Sequence, residues 1–308
     1  LFRKQAHVRN AEVEELLGML RDPFSSTRIT TNMLANADFK FKPARNSKGK
    51  KVELTQSTFD AILNGANRKA RQTAWENYND QYLEHKNTLA SNLATSIKQN
   101  VFNMRVRKFN SSLESTLFNG NVPVEMFHNL LDIFKKNLPM WHKYWKIRRK
   151  ALGVKTLHPY DVWAPLTTKK HTVPFEKAVD HICEGLAPMG AEYVSVLRKG
   201  CLKDRWVDWS PNAGKRQGAF STRVPQDTHP FILMSYTDDI GSMSTLSHEL
   251  GHSMHAYYAS REQPMFYYLY PSIIAETASN FNQAMTRAHL LQSNPDKYFQ
   301  IALLEEAM

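Results

Sequence analysis

The sequence predicts a mainly α-helical protein with a small β-sheet placed just ahead of a histidine-rich helix. Three observations carry that prediction. Apolar residues recur at spacings of three and four over most of the 308 residues, as one face of a helix requires. Strand-like alternation is confined to two short regions, 37–54 and 205–240. The segment SHELGHSMHAYY (247–258) is compatible with helix throughout, apart from one glycine. A chain of this length can bury a substantial core, as one large domain or two of ordinary size.

Residues 1–20 read as an amphipathic helix already under way at the first residue. At the other end DKYFQIALLEEAM has a helical pattern with no Gly, Asn or Pro stop, so the sequence reads as an internal piece of a longer protein. ADFKFKPARNSKGKKVEL (37–54) alternates, with Phe39 and Phe41 on one face and a polar turn at Asn46 to Gly49, and predicts a hairpin. From Thr55 the spacing of Phe59, Ile62, Leu63, Trp75, Tyr78, Tyr82, Leu89, Ile97, Val101 and Phe102 predicts stacked helices with core-facing stripes. A further helix begins near Pro123, turns Phe127, Leu130, Leu131 and Phe134 inward, and is kinked or restarted at Pro139. Helices are expected at 174–186 and 188–202, each opened by a proline. Between 205 and 240, RWVDW, GKRQGAFS (214–221) and HPFILMSY (229–236) predict short strands of one small sheet.

Composition narrows the class of protein. A hydrophobic share of 42% and a charged share of 22% describe a globular chain, and no apolar run reaches the length that spans a bilayer. The start is not a signal peptide. Cys183 and Cys201 lack the C-x-x-C spacing of a redox or zinc pair, which favours a reducing, cytoplasmic setting. The net charge of +11 admits nucleic acid, anionic lipid or acidic peptides as partners. WHKYWKIRRK (141–150) interleaves aromatic and basic residues and is the best nucleic-acid candidate. The competing reading puts Trp141, Tyr144 and Trp145 in the core and the cations on a solvated face, and it is preferred.

The chemistry concentrates in SHELGHSMH. Four residues apart on a helix, His248 and His252 lie about 40° apart around the axis and one turn along it, so both imidazoles reach one point. Zinc takes neutral imidazole nitrogens at about 2.0–2.1 Å. Glu249 is rotated off that line and can lean over a water on the metal, the H-E-x-x-H arrangement of metallopeptidases. Catalytic zinc wants a third protein ligand. IIAETASNFNQAM (273–285) supplies Glu276, on a helix whose apolar residues Ile273, Ala275, Ala278, Phe281 and Met285 predict burial; a buried carboxylate needs a partner, and zinc would be one. Ser279 and Asn280 are placed to hydrogen-bond a ligand. His255 either supports the ligands or is simply packed, and His229 is read as structural. The tyrosines of MFYYLYP (265–271) are read as core.

Together SHELGHSMH and IIAETASNFNQAM, with GKRQGAFS, THPFILMSY, ADFKF, VELT and SLESTLFNGNVP, resemble the oligoendopeptidase F branch of the thimet oligopeptidase family of zinc metallopeptidases, over nearly the whole chain. The resemblance implies a two-lobed, neurolysin-like helical body with a deep channel, a catalytic domain at 51–308 that is incomplete at its C-terminus, and the end of an N-terminal domain at 1–50. It implies one Zn2+ per chain held by His248, His252 and Glu276, with Glu249 as base, and short peptides as substrates rather than nucleic acid or membranes. GKRQGAFS would be an edge strand on which the peptide backbone pairs at Gly218, Ala219 and Phe220; read without the family, the same stretch is an ordinary glycine turn. Two departures stand out: Gln283 occupies a position that is usually Glu, and a C-terminal His and Tyr pair of the family is absent. A zinc- and peptide-binding protein with impaired catalysis is therefore the alternative to an active endopeptidase.

Overall fold

The computed structural model describes all residues except Leu1, Thr168, Lys170, Ala213, Gly214, Arg216, Gln217, 223–227, Met265 and Phe266. Two compact units divide the chain, Leu1–Pro165 and Leu166–Met308. This is a division of packing, distinct from the boundary at 50/51 that the resemblance implies.

In the first unit the N-terminal helical stretch is broken. α1 (Phe2–Gln5) ends in a turn, and Asn10 caps a separate α2 (Ala11–Met19) by accepting from the Val13 N–H. α3 (Arg21–Met33) follows, closed by a π-helical turn at Leu34–Asp38. The hairpin is present but short: β1 (Ala44–Arg45) pairs antiparallel with β2 (Lys51–Val52). Its turn is held by the Asn46 side chain, which accepts from the Lys48 and Lys50 N–H groups, and by Gly49 at φ 74°. Phe39 and Phe41 lie ahead of the strands and pack on aromatic rings, Phe41 stacking on Tyr78 at 4.9 Å.

Thr55 and Thr58 form a reciprocal cap that starts α4 (Gln56–Leu63). α5 (Arg68–Glu84), α6 (Lys86–Val106), α7 (Ser112–Phe118) and α8 (Val124–Ala151) complete the unit. Here the sequence expectation needs correction. The stripe stays inward through α4 and α5, around Ala44, Leu54 and Ala74, but Ile97 and Phe102 on α6 are exposed. On α8 the predicted inward face is also exposed, at Phe127, Leu130, Leu131 and Phe134, with Leu130 at 61%. Periodicity defines an apolar face, but not what packs on it. α8 also runs unbroken past Pro139. Trp141, Tyr144 and Trp145 are half-buried along it, whereas Arg148 is buried.

The second unit builds the site. α9 (Phe175–Gly185) and α10 (Ala191–Leu202) precede a three-stranded sheet of β3 (Val207–Asp208), β4 (Phe220–Thr222) and β5 (Phe231–Leu233). The order is β3-β5-β4, with β3 parallel and β4 antiparallel to the central strand, so β4 is an edge. α11 (Ile240–Glu262), capped by Asp239, and α12 (Ser272–Ser293) pack side by side, followed by α13 (Lys297–Ala307). One core cluster joins α9, α10, the sheet and these helices, with Ile182, Leu197, Ile232, Met243, Leu250 and Leu290 nearly or fully buried. Each such side chain contributes about 1.5–3 kcal/mol, and the result is a rigid bed beneath α11. Among the described residues no helix is long and apolar enough to cross a membrane.

Candidate metal centre

Eleven of the 23 residues of helix α11 are buried, including Leu246, Ser247, Glu249, Leu250 and Gly251. Gly251, unfavourable in a helix by about 1 kcal/mol relative to Ala, has a steric reason for being there. A Cβ at that position would lie 2.6 Å from the Ser279 Cα and 2.7 Å from the Ala278 carbonyl oxygen. Only glycine lets α12 approach so closely. Polar pairs fix the register of the two helices: Ser247 Oγ with Thr286 Oγ1 at 2.9 Å, and Gln283 Nε2 donating to Ser244 Oγ at 2.8 Å.

This packing brings Glu276 to the histidines. One ligand atom each from His248, His252 and Glu276 lie within 4.8 Å of one another. Glu276 Oε2 is 3.3 Å from His248 Nε2 and 3.6 Å from His252 Nε2. Glu276 is not buried, contrary to what the apolar pattern of its helix predicts. Its side chain is 52% exposed, and Ile273 and Phe281 are exposed as well; the buried face of α12 is Ser279, Asn282, Thr286 and Leu290. Proximity to the histidines, and not desolvation, singles out this carboxylate.

The donor set suits a divalent ion of the zinc type, two imidazoles and a carboxylate. Each member has a further hydrogen-bond contact, of the sort that orients metal ligands. His248 Nδ1 lies 3.1 Å from Gln283 Oε1. His252 is bonded by the Ala275 backbone, and burial lowers its pKa, against the opposing pull of Glu276, so the neutral ligand form is favoured. Ser279, fully buried, donates to Glu276 Oε2 at 3.0 Å, whereas Asn280 is exposed.

Glu249 is 6% exposed, and its Oε2 has no hydrogen-bond partner among the described residues. Burial raises its pKa; the His248 ring and the Ser221 backbone N–H pull the other way, and Glu276 adds to the rise. Edge strand β4 thus reaches the carboxyl group directly, and Ser221 Oγ also meets Ser253 Oγ on α11 at 2.9 Å.

The remaining predicted residues fall as follows. Gly218 has φ 92°, a conformation that favours glycine, with open space where a side chain would project. Ala219 packs on the core, and Phe220, in β4, is 39% exposed; of GKRQGAFS, Gly214, Arg216 and Gln217 lie outside the described residues. His255 is outside the triad, its ring stacked on Tyr270 at 3.7 Å. His229 Nδ1 bonds the Pro230 carbonyl. Of MFYYLYP, Met265 and Phe266 lie outside the described residues and Tyr267 is exposed. Tyr268, Leu269 and Tyr270 border a cavity of about 370 Å³ beside His252, Ser221 and Thr222. Sequence reasoning missed the Ser221 and Ala275 contacts, which are made by backbone and leave no residue signature. It registered Gln283 only as a departure, although its position seven residues past Glu276 places both on one helix face.

A helical bed carrying a His-Glu-x-x-His helix and a carboxylate on its neighbour defines a protein with a site that could hold a metal ion. The profile of Peptidase family M3 matches residues 61–308. Oligopeptidase PepF of Bacillus subtilis is 35% identical over 100% of this chain and 46% of its own length. An oligoendopeptidase F homolog of Borreliella burgdorferi is 33% identical over 99% of this chain and 52% of its own. Among solved structures, a Chlamydophila abortus chain aligns with TM-score 0.88 and 31% identity over 99% of this chain and 51% of that one. Oligoendopeptidase-F from Enterococcus faecium aligns with TM-score 0.72 and 27% identity, over 99% and 47%. The chain belongs to peptidase family M3, and it spans about half the length of the curated relatives it matches.

Proposed function

We propose that this chain carries the catalytic centre of a zinc-dependent, cytoplasmic endopeptidase that hydrolyses internal bonds of short peptides, with one zinc ion per chain held by His248, His252 and Glu276. The observation that carries the reading is a preassembled two-histidine, one-carboxylate triad beside a buried glutamate with an open oxygen. When bound, zinc supplies Lewis acidity toward a peptide carbonyl and a lowered pKa for water. Glu249 is the base. Its open Oε2 takes the proton of the attacking water, and burial, by raising its affinity for protons, readies it to pass that proton to the leaving amine. The Ser221 N–H keeps the other side of the carboxyl group in place. Ser279 aims Glu276, and Gly218 and Ala219 lead into the edge strand that Phe220 opens, on which an extended peptide would pair. His255, stacked on Tyr270 at the border of the adjoining cavity, is the supporting residue on that side of the site.

The names of the relatives, oligopeptidase and oligoendopeptidase F, support peptides as the substrate class. The family match over 61–308 supports a catalytic domain at 51–308, with residues 1–50 closing an N-terminal domain. Metal analysis paired with cleavage of a quenched fluorescent peptide tests the reading. One zinc per chain and hydrolysis abolished by a chelator and restored by zinc are expected; undiminished hydrolysis in the chelated protein would refute it.

A further inference from the structure

The H-E-x-x-H spacing places two imidazoles, but it does not choose which nitrogen of each ring carries the proton. A ring ligates only through a nitrogen that has none. For His252 the Ala275 backbone bonds the ring. For His248 the choice is made by one side chain. Its Nε2 faces Glu276 Oε2 at 3.3 Å, and its Nδ1 faces Gln283 Oε1 at 3.1 Å. Gln283 is held in turn, with Nε2 donating to Ser244 Oγ at 2.8 Å.

Glutamine differs from a carboxylate at this position in a way that matters. A carboxylate is only an acceptor, so it admits one ring form, with the proton on Nδ1. An amide offers an acceptor at one end and a donor at the other. With the oxygen toward His248 the proton sits on Nδ1, and Nε2 keeps its lone pair. Turned over, the amide would donate to a bare Nδ1, accept from the Ser244 hydroxyl, and leave Nε2–H pointing at Glu276. In that second arrangement His248 cannot ligate.

We propose that Gln283 is the positioning residue of the metal site: by accepting from Nδ1–H of His248 it directs the lone pair of Nε2 to the side of Glu276, and as a neutral, reversible acceptor it holds that form less firmly than a carboxylate would. The inference rests on the metal reading above. Geometry ties the parts together, since Glu276 and Gln283 are seven residues apart on one face of α12 and Ser244 and His248 four apart on α11. One packed register therefore delivers both the third ligand and the residue that orients the first.

The test uses the full 308-residue chain as wild type, Gln283→Glu and Gln283→Leu, with Zn2+ affinity measured by competition against a chelator. In the metal-free proteins, long-range proton–nitrogen NMR reports the ring form of His248. Affinity should fall about tenfold or more in Gln283→Leu, the usual scale for such contacts, and should equal or exceed wild type in Gln283→Glu. His248 should carry its proton on Nδ1 in wild type and in Gln283→Glu, and shift toward Nε2–H in Gln283→Leu. Affinities of Leu and wild type within twofold, or Nε2–H as the main wild-type form, overturn the inference. Should Gln283→Leu fail to fold by circular dichroism, Gln283→Glu and the wild-type spectrum decide: a Glu variant weaker than wild type overturns it. A wild-type chain that takes up no zinc overturns the metal reading and this inference together, whereas one ion per chain with no dependence on residue 283 overturns this inference alone.

Discussion

Two buried carboxylates, one in each unit, are used in opposite ways. Asp161 is fully buried and receives Nε and Nη2 of Arg68 at 2.9 and 2.8 Å, Nη2 of Arg71 at 3.2 Å and the His158 N–H at 3.2 Å. Burial pushes its pKa up, but these donors outweigh burial and the net shift is downward. Arg71 also donates to the Tyr160 and Gly65 carbonyls, so the cluster ties α5 to the turn after α8. Glu249 is nearly as buried, yet one oxygen is unpartnered and its pKa is raised, chiefly by burial. Under the proposed function, partnering and not depth separates a structural charge from a reactive one. A carboxylate with its acceptors filled has no oxygen left for chemistry.

The contrast can be broken by experiment. Glu249→Gln should cut peptide hydrolysis by about 10³-fold, within the range for loss of a general base, while zinc content stays at one per chain; a rate within tenfold of wild type would remove Glu249 from the mechanism. Asp161→Asn should act on stability instead. It strands the buried Arg71 guanidinium and should cost about 3–5 kcal/mol in denaturant unfolding, as breaking a buried pair does. A loss below about 1 kcal/mol would show that the cluster is not the staple its hydrogen bonds describe.

Gly251→Ala sharpens the comparison by disturbing the site without touching a charge. The added methyl meets the α12 backbone, so a loss of about 1–3 kcal/mol is expected, together with weaker zinc binding because Glu276 rides on that helix. Unchanged zinc affinity would mean that the close approach is not what seats the third ligand.

The smallest effect is in pH, and its two halves have opposite sign. Asp161 has a folded pKa below its ordinary 3.8, so its contribution is present above 3.8 and lost as pH falls through the lowered folded value. Glu249 has a folded pKa above 4.5, so its contribution is present below 4.5 and lost as pH rises through the raised folded value. In metal-free protein Glu249→Gln should therefore gain on wild type as pH rises above 4.5, and the deficit of Asp161→Asn should shrink on acidification below 3.8. Unfolding midpoints across a pH series check this, and slopes of the same sign would undo the distinction.

What could be read from the sequence alone is what depends on near neighbours. The helix of SHELGHSMH, the pairing of His248 with His252 and the hairpin turn at Asn46 to Gly49 all follow from spacings of a few residues. Glu276 was legible as a candidate, but for a reason that the fold does not support, since its side chain is half exposed. Tertiary structure decided the rest. It showed that Gly251 clears the way for Ser279, that Ser221 and Ala275 reach Glu249 and His252 through backbone atoms, and that the apolar face of α8 stays uncovered among the described residues. Helical periodicity is set by local backbone geometry and so is written in residue order. The distance between two helices is set by the smallest side chain at their crossing, and main-chain carbonyls are the same for every residue and main-chain N–H donors for every residue but proline, so neither appears until the chain is folded.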